Sequence, residues 1–205
     1  MTIDRESKTF IRISKILETL FLALAGLYLL YRVSKVTTFQ LVWPRGFETN
    51  LMRALAVVAA LRLLTTKLLR RETLIALALA AIYGMVYRTD GYTFLLFLAI
   101  FTVGFIDIDY RKILKTYLFT VGVFYCVAIL AGMLGLITNY VRIKNGLRSA
   151  WGISYPTDFA SMALFLLMAL WVACRRLPDW AMLCLCGVYL AMATIIARRD
   201  RKSTR

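Results

Sequence analysis

Arg142, Lys144 and Arg148 place three cations within seven residues, with Gly146 among them and Gly152, Pro156 and Asp158 just after. Guanidinium and ammonium groups beside a helix N-terminus suit the binding of a phosphate or pyrophosphate. The glycines let the backbone turn and let a ligand approach it. "YPTD" reads as a helix entry, in which Pro156 fits the first turn and Thr157 or Asp158 caps it. The same residues also fit a plainer role, an extracytoplasmic loop with turn residues and a capped helix.

Three more arginines could meet an anion. Arg53 and Arg62 fall inside or near an apolar run, nine residues apart, and so on opposite sides of an ideal helix at about 100° per residue. A charge at the bilayer centre costs roughly 2.5–3.5 kcal/mol. Such a residue faces protein, water or an anion, or snorkels to the headgroups. Arg88 and Asp90 share the turn "YRTDG", which is either ordinary turn chemistry or one wall of an external cavity. Asp107 and Asp109 are a weak metal signal, and an Asp cap on the following helix is the preferred reading. No metal or cofactor is expected. The chain has no His, which removes His ligands and His-based catalysis. Cys126, Cys174, Cys184 and Cys186 lie in or beside apolar runs and read as small buried hydrophobes, without disulfide or zinc spacing.

The elements that must position these residues are membrane helices. Of 205 residues, 61% are hydrophobic, too many for a soluble core and surface. The apolar segments are Ile16–Val33, Ala54–Thr66, Leu74–Tyr87, Tyr92–Ile106, Leu118–Thr138, Phe159–Cys174 and Trp180–Ala197. A spanning helix wants about 20 residues. The first, fifth and seventh segments come close, and one of the short second to fourth could be re-entrant. The runs do not alternate, which argues against strands. The expected fold is all-α, a polytopic helix bundle with about seven transmembrane helices in a single domain, residues 1–199.

The net charge of +15 comes mostly from residues flanking these runs, so it reads as topology signal and lipid contact, and no nucleic-acid partner is expected. With the N-terminus cytoplasmic, twelve basic residues flank the inside and seven the outside before the tail is counted. That orientation puts Arg142–Arg148 on the external face. The N-terminus is too long and too charged in both signs for a cleavable signal peptide. The last six residues, "DRKSTR", match one reading frame of a common sequencing adapter. Residues 200–205 are therefore expected to be a non-native tail on a truncated chain.

Arg148, Ser149, Gly152, Pro156 and Ala160, in "RSAWGISYPTDFA", resemble a stretch in bacterial polysaccharide polymerases and O-antigen ligases, where an external Arg-containing segment runs into a transmembrane helix. The resemblance covers about thirteen residues. Thr157 and Asp158 stand where many members have Asn, and members usually have more spans. The resemblance implies a bacterial cytoplasmic-membrane enzyme of cell-surface polysaccharide biosynthesis. Its substrate would be an undecaprenyl-diphosphate-linked glycan, and its partners the lipid bilayer and polysaccharide-assembly proteins. Arg148 and Arg142 would hold the diphosphate, and Asp158 would serve as the base. Ser149 and Gly152 carry over by motif position, whereas Arg53, Arg62 and Arg88 are substrate-binding candidates from the residues alone. The competing readings are a transporter or flippase, which needs no base, and a non-catalytic membrane protein whose arginines are all flanks.

Overall fold

The computed structural model describes residues 8–39, 41–66, 70–91, 93–138, 140–143, 146–149, 152–154 and 156–173, with short pieces up to residue 190. Side chains of residues 8, 140–143, 146–149, 156, 157 and 159 are outside the description, as are residues 191–205 and thus the suspected tail. The described chain is predominantly helical: α1 (Lys8–Val36), α2 (Phe47–Thr65), α3 (Arg71–Asp90), α4 (Thr93–Gly104), α5 (Tyr110–Tyr117), a π-helical turn (Leu118–Gly122), α6 (Val123–Met133) and α7 (Pro156–Ala173). The exception to the all-α expectation is an antiparallel pair, β1 (Tyr140–Ile143) with β2 (Gly146–Ser149).

Two helical stretches among the described residues are long and apolar enough to cross a membrane, Thr9–Val36 and Tyr110–Met133. They contain the first expected segment and most of the fifth. The fourth and sixth correspond to shorter apolar helices, Thr93–Gly104 and Ala160–Ala173. The second and third fall within α2 and α3, whose ends carry Glu48, Arg53, Arg62, Glu72 and Arg88.

The chain divides into two units. The first comprises residues up to Tyr28 and Pro44–Ile113. Its core draws Phe21, Ala25 and Tyr28 from α1, Leu51, Leu55, Val58 and Ala59 from α2, and Phe101 from α4. The spacings of three, four and seven give each helix one inward stripe. Phe97, Phe101 and Phe105 recur every four residues and touch in sequence, the first pair tilted and the second edge-on, with centroids 4.0 and 4.9 Å apart. Tyr28 stacks on Phe97 at 4.3 Å, and Phe21 meets Phe105 edge-on at 5.4 Å. Gly104 lies under the Phe21 ring, where a Cβ would overlap it. α3 buries only Thr73 and leaves Leu74, Ile75, Leu79, Ile82 and Met85 exposed.

The second unit comprises Leu29–Trp43 and Leu114–Arg205. Tyr125, Ile153 and Ala163 form its small core, flanked by Val36, Ile129, Met162 and Leu166. Trp43 Nε1 donates to Ser34 Oγ at 2.9 Å, and Ser34 Oγ donates to the Tyr31 carbonyl at 2.7 Å. Trp43 also meets the Tyr31 ring edge-on at 5.4 Å. These contacts bind the chain after α1 back onto its last turns.

The cysteines correct one expectation. Cys126 and Cys184 are exposed and Cys186 is half-buried. Cys126 shares α6 with Val127 and Leu130, which are also exposed, so its apolar setting is a helix surface and not a core. Cys174 lies outside the described residues.

Candidate functional site

The cation-rich stretch of the second unit is a folded strand–turn–helix entry. Tyr140, Val141 and Ile143 favour extended backbone, and Gly146 opens β2 opposite Ile143. In the register, Arg142 faces Leu147 and Arg148 faces Val141. The two arginines thus occupy adjacent rungs of the ladder. Ser149 ends β2, opposite Tyr140.

Three residues on, the turn is anchored. The Gly152 carbonyl accepts from Thr38 N at 2.9 Å and Thr38 Oγ1 at 3.2 Å, and Ser154 N donates to the Val36 carbonyl at 2.7 Å. Thr37 and Ile153 form an antiparallel bridge, and Ile153 is fully buried. Gly152 has φ 78°, and a Cβ there would overlap the Ala128 carbonyl of α6. Glycine is therefore required by close protein packing, a role that the ligand-approach reading did not include.

α7 starts at Pro156, the first-turn position expected for it. Thr157 and Asp158 consequently lie inside the first turn, and neither is the N-cap that the sequence suggested. Asp158 is half-buried, and its carboxylate complements the positive end of the helix.

The bottom-up arginines all lie in the first unit, in three different settings. Arg53 lines a cavity of about 440 Å³ with Glu48, Thr49, Met52 and Ala56 of α2, Tyr87 of α3, and Thr93, Leu96 and Ile100 of α4. Arg88 is exposed in the last turn of α3 and does not line it. Gly91, with φ 69°, closes that helix by donating from its N–H to the Tyr87 carbonyl at 2.8 Å. The turn chemistry read in "YRTDG" is thus present.

Arg62 lies at the other end of α2 and is buried, 5% exposed. Its Nη2 donates to the Ile106 carbonyl at 2.8 Å, and its guanidinium stands 6.0 Å from the Phe21 ring centroid. Nε and Nη1 have no hydrogen-bond partner among the described residues. Around it, Arg70 pairs with Asp107 at 3.1 Å and Lys112 with Glu18 at 2.6 Å. Asp109 Oδ1 accepts from the Arg111 N–H at 3.0 Å, the expected cap on α5. No group of three or more His, Cys, Asp or Glu that could hold a metal occurs among the described residues.

No family model matches the chain, and no curated protein or solved structure matches it.

Proposed function

We propose that the chain works in glycosyl transfer at the external face of the bacterial cytoplasmic membrane, as part of a polytopic helix bundle with a cytoplasmic N-terminus. The substrate in this reading is an undecaprenyl-diphosphate-linked glycan of a cell-surface polysaccharide. A sugar hydroxyl of one lipid-linked unit attacks the anomeric carbon of another. The bond from that carbon to the diphosphate oxygen breaks, and undecaprenyl diphosphate leaves with the bonding pair. The hydroxyl proton passes to a base, for which Asp158 is the candidate. Arg148 stabilises the charge gathering on the leaving diphosphate.

One observation supports the reading above the others. The stretch that carries the polymerase and ligase resemblance is held at Gly152 by Thr38. Arg148 therefore stands four residues from a fixed turn and eight from the start of α7. An anchored backbone turn suits a stretch that must meet a developing charge. The test is polymer length in a host carrying the native gene. Arg148→Ala should shorten or abolish the polymer, and Arg148→Lys should restore part of it. Unchanged polymer at normal protein level with Arg148→Ala would refute the diphosphate role.

A further inference from the structure

The cavity at the start of α2 carries two opposite charges. On an ideal helix at about 100° per residue, Glu48 and Arg53 stand about 140° apart, with Met52, Ala56 and Thr49 between them. All five line the cavity, so the charges flank one continuous face. Arg53 makes no hydrogen bond or ion pair with a described residue, and its side chain is exposed. Glu48 is half-buried. A carboxylate offers about four acceptor positions, so Glu48 can receive a ligand donor alongside an intramolecular partner.

α2 and α4 run parallel here. Their first turns supply Glu48, Thr49 and Thr93 to the cavity, and Arg62 reaches Ile106 at their far ends. Two positive helix ends therefore join Arg53 in favouring an anion at the mouth. Deeper in, the lining becomes Met52, Ala56, Leu96 and Ile100, which is apolar. The volume of about 440 Å³ lies within the usual range for ligand cavities, roughly 300–1,000 Å³.

We propose that this cavity binds a zwitterionic phospholipid whose headgroup ends in a primary ammonium, of the phosphoethanolamine type. The phosphate sits on Arg53, the ammonium donates to Glu48, and the start of the acyl region lies along Met52, Ala56, Leu96 and Ile100. A purely anionic headgroup would use Arg53 and meet Glu48 as a like charge. A trimethylammonium headgroup has no N–H to give Glu48. The apolar floor gives a membrane lipid an advantage over a free headgroup. This assignment gives Arg53, a substrate-binding candidate from the sequence, a lipid headgroup, and the glycosyl-transfer reading rests on Arg148 and Asp158.

The full chain, purified in detergent, is exposed separately to phosphatidylethanolamine, phosphatidylcholine, phosphatidylglycerol and free phosphoethanolamine, and retained lipid is read by native mass spectrometry. Phosphatidylethanolamine should be retained best. Arg53→Gln and Glu48→Gln should each weaken it roughly tenfold, the loss of one charge-assisted contact. Ala56→Phe, which fills the floor without touching a charge, should weaken it as well, with helical circular dichroism unchanged in all three variants. Equal retention of phosphatidylglycerol, or of phosphatidylcholine, overturns the proposal. So does binding of free phosphoethanolamine as tight as that of the lipid, or retention unaffected by the three variants.

Discussion

Arg62 of α2 reaches the turn that follows helix α4, donating from Nη2 to the backbone carbonyl of Ile106 at 2.8 Å. Ile106 is buried, and a buried backbone carbonyl without a partner is costly. The cation is held by that bond, by the Phe21 ring and by the nearby charges of Glu18 and Asp107. Two of its donor nitrogens remain without a partner among the described residues.

This arrangement separates what the charge contributes from what the side-chain volume contributes. Arg62→Met refills the space and removes two unsatisfied donors but also leaves the Ile106 carbonyl unpaired, so we expect a loss of about 1 kcal/mol. Arg62→Ala opens a cavity and abandons the carbonyl, at a cost of about 2–3 kcal/mol. Unfolding followed by helical circular dichroism in detergent checks both. A Met variant as unstable as the Ala variant would show that the cation itself is required.

Gly152 and Gly46 both have positive φ, 78° and 75°, but only Gly152 has protein atoms within 4 Å of where a Cβ would stand. Gly46→Ala should cost about 1–2 kcal/mol, from the left-handed backbone alone. Gly152→Ala adds the overlap with Ala128 and should cost at least about 3 kcal/mol. The ratio of folded protein recovered from the two variants gives the comparison, and equal recovery would contradict it.

At Gly104 the obstacle is a side chain. Gly104→Ala drives a methyl into the Phe21 ring and should destabilise by about 1–3 kcal/mol. In a Phe21→Leu background the penalty should shrink, because the ring is gone. A double-mutant cycle should return a coupling of about 1 kcal/mol or more, and additive effects would place the contact elsewhere.

Asp109 is assigned a capping role on α5, not a metal role. Asp109→Ala should lose about 1 kcal/mol, and Asp109→Ser should recover most of it. Added divalent metal should leave the melting temperature of the parent unchanged. A metal-dependent rise that vanishes with Asp109→Ala would reverse the assignment.

Long apolar runs were legible because their signal is compositional: Ile16–Val33 and Leu118–Thr138 correspond to the two helical stretches able to span a membrane. The Asp109 cap and the Pro156 helix start were legible from local chemistry. The hairpin was missed because its strands are short and a basic-loop reading absorbed Val141 and Ile143. The packing of Gly152 on Ala128 joins residues 24 apart in sequence, and no local pattern records it. The same holds for the Arg53 cavity, whose lining comes from three helices. Arg62 could be flagged as a charge near an apolar run, but its carbonyl partner lies 44 residues away.

The π-helical turn at Leu118–Gly122 gives the chain a place to change length. Such a turn winds one residue more than α-geometry needs into the same rise. Here the Thr120 hydroxyl donates back to the Thr116 carbonyl of α5. A single-residue deletion inside the turn would let it relax to an α-helix, while Val123–Met133 kept their places. The same deletion a few residues further on would rotate every later side chain of α6 by about 100°. Tolerance to deletion along Tyr110–Met133 should therefore peak at this one turn.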